Sequence, residues 1–498
     1  MRRLIPIVLL ALLLLVGTLG ASGTYTLYLP LVARSGTPAA LPSPTPTVSP
    51  APAPSPTLQP APAPSPTPRP DAPPPTQRHR VNAPYFATQE LDDRFPEMAI
   101  FWFGRVDRTN NYADVRVGYN DSELYVDVTV FDRRLWYARN PTRATLTDWD
   151  ALTLFLDTGD TRHRFVAQFS HEDLPREPYQ AAYRAQGSTW QVANTAFQSR
   201  PGWRGEGLND DVDDRGWAMT FRIPFASLGL DQRPPEGTRW LMALRLDDRD
   251  DRAGTPIEPQ FWPPAWQVDD AASWGLLNFG LRPSYTPPST RNPQSFTLRQ
   301  GLDGLTVPDV AVGGGTVCGD GIDFWTEWGH LPHHAGARDF NIQNQSEIAD
   351  WPCFSKYYVT FPLDSLPSGR VVVDAKLILH QFGNSQPADA EPSLIQVFTI
   401  DDDWQENTIT WNTAPLAREN VGAAWVPVLP DFPGWPGVPR EFDLSSAVAE
   451  AYAAGEPLRL ALYSADSAYH SGKYFVSSDT EDWNAVARPT LVVRLGNP

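Results

Sequence analysis

The sequence predicts an all-β protein: two tandem β-sandwich, jelly-roll-like domains behind a signal sequence and a Pro-rich disordered stalk. Three observations carry this reading. Short segments alternate apolar and polar residues with the period of two that a half-buried strand requires. Turn-rich text separates these segments at the spacing typical of sandwiches. Long helical periods are scarce, and "SSAVAEAYAAG" (445–455), stopped by Gly455, is the single convincing helix of the C-terminal half.

The N-terminus opens with Met1-Arg2-Arg3, an apolar run from Leu4 to Leu19 and the small residues Gly20 to Gly23. These are the parts of an export signal, so residues 1–23 are expected to be a signal peptide or an uncleaved anchor. No Cys lies near the cleavage region, which argues against a lipid-modified N-terminus. No other segment is apolar enough to span a bilayer. Residues 24–80 form a linker whose core, Thr37 to Thr76, alternates Pro with Ala, Ser and Thr. Such text has little to bury and favours an extended polyproline-type spacer, about 3.1 Å per residue. Its Ser and Thr positions permit O-linked sugars. The expected location is therefore extracellular, secreted or tethered at the cell surface.

The remainder is long enough for two domains, 81–284 and 297–498, joined by a linker at 285–296 where Pro, Ser and Thr cluster again. In the first, "VRVGYNDSELYVDVTVF" (115–131) reads as a hairpin, with Asn120-Asp121-Ser122 as its turn. "ALTLFLD" (151–157), "HRFVAQF" (163–169), "WAMTFRI" (217–223) and "WLMALRL" (240–246) continue the alternation. In the second, "KYYVTFPL" (356–363), "VVVDAKLILHQF" (371–382), "LIQVFTI" (394–400), "LRLALYS" (458–464), "KYFVS" (473–477) and "TLVVRL" (490–495) are strands.

The formal net charge of −18 argues against nucleic acid and against anionic membrane surfaces. The two cysteines, Cys318 and Cys353, are expected to form one disulfide in an exported chain. Enzyme motifs are missing: "HEDLP" (171–175) lacks the second His of a zinc-protease helix, and no nucleophile elbow, phosphate loop or dinucleotide fingerprint occurs. His330, His333 and His334 sit among Gly, Pro and Ala, which favours an exposed loop over a metal site. The acidic runs "NDDVDD" (209–214), "DDRDD" (247–251) and "DDD" (401–403) follow no fixed calcium-loop spacing and read as solvated charge.

Several of these pieces resemble known families. "YNDSELYVDVTVFD", "DWDALTLFLDTGD", "RGWAMTFRIPFASLGL", "GTRWLMALRLDDRD" and "WGLLNFG", covering about Tyr85 to Leu281, resemble carbohydrate-binding module family 9 within the DOMON-like group. "VPDVAVGGG", "DDDWQENTITWNTAP", "REFDLSSAVAEAYAAG" and "YFVSSDTEDWNAVARPTLVV" resemble the DNRLRE-type β-jelly-roll, which overlaps carbohydrate-binding module family 96. The W-x-E-x-T-I-T-W-N-x-A-P run (404–415) is a fold hallmark of that group, which makes Trp404 and Trp411 packing anchors rather than sugar platforms.

The first resemblance implies a sugar held between loop tryptophans. It makes Trp149 and one of Trp262 or Trp266 the expected pair, with Trp136 in reserve and Asp150, Arg245 and Asp247 as polar partners. It also implies a structural Ca²⁺ in this domain, with no cofactor required. The expected function is a non-catalytic binder of a polysaccharide or cell-surface glycan. The alternatives are a structural or adhesive envelope protein without a specific ligand, and a cryptic polysaccharide hydrolase or lyase. Alginate binding within the second group is not carried over, because a polyanion needs a basic face and this half is acid-rich.

Overall fold

Alternation in this chain buries both faces of its central hairpin. In the strand Asn110–Tyr119, Val115, Val117 and Tyr119 point one way and Tyr112, Asp114 and Arg116 the other, and all six are buried. It pairs antiparallel with Glu123–Phe131 through Tyr119↔Leu124. The turn between them is built by Asn120, whose Oδ1 accepts from the Ser122 and Glu123 amides at 2.8 and 2.9 Å, as an Asx turn does.

The computed structural model describes residues 78–314, 322–332, 334–344, 354–385, 390–400, 402–466 and 471–498. The expected Cys318–Cys353 pair and His333 lie outside these residues. The architecture is all-β. One five-stranded antiparallel sheet runs Ala99–Asp107, Asn110–Tyr119, Glu123–Phe131, Gly216–Pro224, Gln198–Arg204. A six-stranded sheet runs Arg291–Arg299, Thr490–Asn497, Val371–Asn384, Lys473–Val476, Asp339–Ile342, with Val438–Asp443 beside Val371–Asn384. Between them lies a 13-stranded sheet to which both halves of the chain contribute.

Arg80–Ala83 is the seam of that long sheet. It pairs parallel with Gly275–Phe279 and bridges to Glu419 of the strand Glu419–Val426. The Asn82 side-chain Nδ2 donates to Glu419 Oε1 and to the Asn420 carbonyl, both at 2.9 Å, and Arg80 pairs with Glu419 at 3.3 Å. On the N-terminal side of the seam the sheet continues through Arg239–Asp247, Ala151–Asp157, Arg162–Gln168, Gln180–Gln186 and Thr189–Ala193. On the other side it continues through Ser393–Thr399, Leu458–Ser464, Ser355–Phe361 and Asp309–Gly313.

The second half closes its own core from Leu377, Leu379, Val397, Leu460, Leu462, Phe475 and Val493. The helix Ser445–Ala454 ends at Gly455, whose φ of 70° is the left-handed turn that stops it. A larger core runs through both halves. Trp102 meets Phe398 and Tyr463 edge-on at 5.2 and 5.7 Å, and Tyr112 packs on Trp411 at 4.9 Å. Trp411 is thus a packing anchor, but its partners are the first half as much as its own. Contacts gather the described residues, from Arg78 onward, into one compact unit.

Charge is buried at this junction. The Lys356 ammonium donates to the Tyr112 hydroxyl at 2.9 Å and lies 3.8 Å from the Trp411 ring centre and 4.4 Å from Trp102. Burial holds its pKa well below the usual lysine value, against the attraction of Asp114. Asp114 accepts from Tyr112 at 2.6 Å, Tyr463 at 3.0 Å and Asn344 at 3.1 Å. Asp114→Ala leaves the Tyr112 and Tyr463 hydroxyls without this acceptor, while Asn344 still donates to the Ser464 carbonyl at 2.9 Å; each buried group left unpaired costs about 1–3 kcal/mol. The expected result is a loss of at least about 2 kcal/mol with both halves still unfolding in one transition. Urea denaturation followed by tryptophan fluorescence and circular dichroism measures both.

His163 is buried and stacked on Phe165, and neither ring nitrogen has a hydrogen-bond partner. Burial pushes its pKa from 6.5 down to about 4. The unfolded chain therefore binds the extra proton between these values, so stability is full above pH 6.5 and falls as the pH drops toward 4. His163→Leu is expected to reduce that acid-side loss by about 2–3 kcal/mol, read from denaturation midpoints at pH 7 and pH 4.5.

Candidate functional site

The outer face of the N-terminal part of the long sheet carries a row of rings and charges set by strand register. Ala243, Phe155, Arg164 and Tyr183 stand side by side on four strands, with Arg245 and Thr153 in the next row. Trp266 reaches over from the loop after Gln260–Trp262 and packs on Phe155 at 4.7 Å and Phe261 at 5.3 Å. Trp190 meets Phe155 edge-on at 5.8 Å. The Arg164 guanidinium lies over Tyr183 at 4.2 Å.

Arg245 grips Asp247 through Nε and Nη2 at 3.0 and 2.6 Å, both to Oδ1. The second oxygen of Asp247 is buried without a hydrogen-bond partner. Burial raises the pKa of this carboxyl, while Arg245 opposes the shift. The half-exposed Arg245 presents its guanidinium at the surface beside Phe261. An apolar ring face beside fixed donors and acceptors is what a hydroxylated, C–H-rich ligand requires.

The residues expected from the sequence separate into two groups. Trp149 and Trp266 are half-buried, and Trp149 stacks on Trp136 at 6.3 Å with ring planes 25° apart. Along the strand Ala151–Asp157 they fall on either side of the Arg245–Asp247 pair, Trp149 before Ala151 and Trp266 over Phe155. Trp262, Trp136 and Asp150 do structural work instead. Trp262 is 1% exposed and lies on Phe101 at 4.1 Å. Its segment reads as a Pro-stiffened loop, but Gln260–Trp262 pairs with Arg239–Asp247 in the register Leu244↔Trp262. Strand alternation therefore turns Trp262 inward beside Leu244, and Phe261 outward beside Arg245. Trp136 is buried, and Asp150 is fully buried, accepting from the Trp136 amide at 2.6 Å and the Arg249 amide at 2.9 Å. Asp150 staples the two loops rather than facing a ligand.

Beneath that staple lies a group that the sequence reading overlooked. Asp132, Asp248 and Asp250 place carboxylate oxygens within 4.8 Å of one another. Neither Asp248 oxygen meets a donor in good geometry. Burial, then repulsion by Asp250, pushes Asp248 up to about 8, and burial raises Asp250 to about 6. Asp132 and Asp150 are raised well above the carboxylate range by burial and by Asp248. Arg133 and Arg134 beside Asp250 and Arg249 beside Asp248 oppose these shifts without reversing them; buried like charges cost stability, and this all-oxygen, anionic donor set suits a hard divalent cation. "DDRDD" carries two of the three carboxylates, but Asp132 is 116 residues from Asp248, and only the fold brings it in. His330 and His334 do not gather with such ligands: His334 Nε2 bonds the Gly313 carbonyl at 2.8 Å, and His330 lies 3.4 Å from Asn412 Nδ2.

Residues 336–494 match the model of carbohydrate-binding module family 96. Among solved structures, a crystal structure from Bacteroides uniformis ATCC 8492 shares 10% identity over 41% of this chain and 100% of that chain, with a TM-score of 0.32. A carbohydrate binding module family 9 from Caldicellulosiruptor kristjanssonii is also similar. Its complex with cellotriose shares 15% identity over 42% of this chain and 99% of that chain, with a TM-score of 0.28. Its complex with glucose shares 15% identity over 42% and 100%, with a TM-score of 0.27. Among curated proteins, none matches this sequence.

Proposed function

We propose that this protein is a non-catalytic, extracellular polysaccharide-binding protein, held away from the cell by its Pro-rich stalk. The observation that carries the reading is the half-exposed Arg245 guanidinium, held by the buried Asp247 on the sheet face where Trp266 packs on Phe155. The aromatic faces would cover sugar C–H patches, and Arg245, held in place by the buried Asp247, would donate to sugar hydroxyls. The family match at 336–494 supports the same class of ligand.

The test is affinity electrophoresis and calorimetry of the chain from residue 78 to 498 against a panel of β-glucan, xylan, mannan and galactan oligosaccharides. Arg245→Ala and Trp266→Ala are expected to weaken the strongest interaction at least tenfold while circular dichroism stays unchanged. Wild-type protein that binds no glycan would shift the assignment to an envelope spacer, and release of soluble sugars would shift it to an enzyme.

A divalent cation, Ca²⁺ by its oxygen donors, would sit among Asp132, Asp248 and Asp250 and fix the loops that carry Trp149 and Trp136. Millimolar CaCl₂ is expected to raise Tm by several degrees, and chelator to reverse the rise. Asp248→Asn should abolish the response and leave the metal-free protein at least as stable, since it removes a buried repulsion. An Asp248→Asn variant that responds like wild type would disprove the site.

A further inference from the structure

The second half presents a different surface at the edge of its six-stranded sheet. Phe432, Trp435 and Trp483 are 50%, 49% and 64% exposed, unusually high for large rings in a folded chain. They form one patch: Phe432 meets Trp435 at 5.2 Å, and Trp435 meets Trp483 at 5.8 Å with planes 79° apart. The near-perpendicular rings leave two faces at a right angle, a corner rather than a flat sticky surface.

The patch is held rigidly. Trp435 rests on Phe382 at 5.5 Å, which projects from the strand Val371–Asn384 and touches Tyr474 at 6.2 Å on its neighbour. Trp483 sits in the short 3₁₀ turn Asp482–Ala487, and its indole N–H donates to Glu481 at 3.1 Å. Rigid rings lose little entropy when a ligand covers them.

Charge selects the occupant. Glu481, Asp482 and Asp431 are exposed around the rings. Glu481 pairs with Arg338 at 2.7 Å and Asp482 with Arg488 at 2.8 Å, so the nearby cations are already engaged. An acidic rim repels a polyanion, and its carboxylates accept hydrogen bonds from neutral hydroxyls. Aromatic faces beside exposed carboxylates match an uncharged sugar, which offers C–H patches and O–H donors.

We infer that Phe432, Trp435 and Trp483 form a second carbohydrate-binding surface, selective for uncharged polysaccharide and independent of the face around Arg245. The ligand class rests on the polysaccharide-binding reading above, whereas the location rests on the exposed rings alone. Two such faces on one rigid body would grip a polymer with avidity that neither has alone.

The experiment uses residues 78–498 with the first face disabled by Arg245→Ala and Trp266→Ala, compared with the same protein also carrying Trp435→Ala and Trp483→Ala. Native gels containing hydroxyethylcellulose, glucomannan, galactomannan or alginate read the binding, and circular dichroism with sedimentation velocity checks fold and mass. The expected result is retardation of the first protein by at least one neutral polymer, lost at least tenfold in the second, with alginate inert for both. Equal retardation of the two proteins would overturn the inference, as would retardation by alginate alone. A dimer abolished by the ring substitutions would reassign the patch to self-association. Wild type that binds while the disabled protein does not would overturn this surface only, and wild type that binds nothing would overturn the functional reading as well.

Discussion

Lys356 is the residue around which the two halves of this protein are built. Its ammonium sits in a box of Trp102, Tyr112, Trp411 and Tyr463 and donates to the Tyr112 hydroxyl, which in turn bonds Asp114. Desolvating such a group costs several kcal/mol unless it is paired, so the box tolerates only one arrangement of its members. Tyr112 and Asp114 come from the first half, Lys356, Trp411 and Tyr463 from the second. A slip of one residue in the strand Asn110–Tyr119 would turn Asp114 into the apolar core and break the network. The network therefore fixes register and the docking of the two halves together.

That docking makes the seam strand Arg80–Ala83 meaningful. A four-residue strand has little stability of its own, but here it continues a sheet on both sides and is tied by Asn82 and Arg80 to Glu419. The long sheet is consequently a stiff common floor. The ring row over Phe155 stands on its N-terminal part, while the exposed rings around Trp435 stand on the six-stranded sheet beyond its C-terminal part. Affinity at such shallow sites depends on preorganisation, because few groups are available to compensate for ordering a loop.

The acidic cluster answers a different constraint. Asp150 already spends both oxygens on the backbone of two loops, and Asp132 accepts from the Trp217 indole at 2.9 Å. Asp248, with both oxygens buried and unpartnered, is the weak point of the arrangement. A cation at this point would turn repulsion into a clamp directly beneath the loop bearing Trp149.

Much of the fold was legible in the sequence. The hairpin at 115–131, its Asn120 turn, the helix stopped at Gly455 and the all-β class follow from period-two alternation and turn chemistry, which are local properties. The motif at 404–415 identified its domain and marked Trp411 as a packing residue. The site was legible only in outline. Arg245 and Asp247 share one face with Phe155, on which Trp266 packs, but Trp262 turned inward because a three-residue strand imposed a parity that its Pro-flanked segment conceals. Asp132 and the ring patch of Trp435 and Trp483 bring together residues distant in sequence, so no local spacing announces them. The sequence by itself determined which segments are strands and where they turn, because alternation and turn chemistry act over a few residues. Only the tertiary structure decided which polar alternates are buried, which tryptophans stay in solvent and which carboxylates meet, because those outcomes depend on what packs against each face.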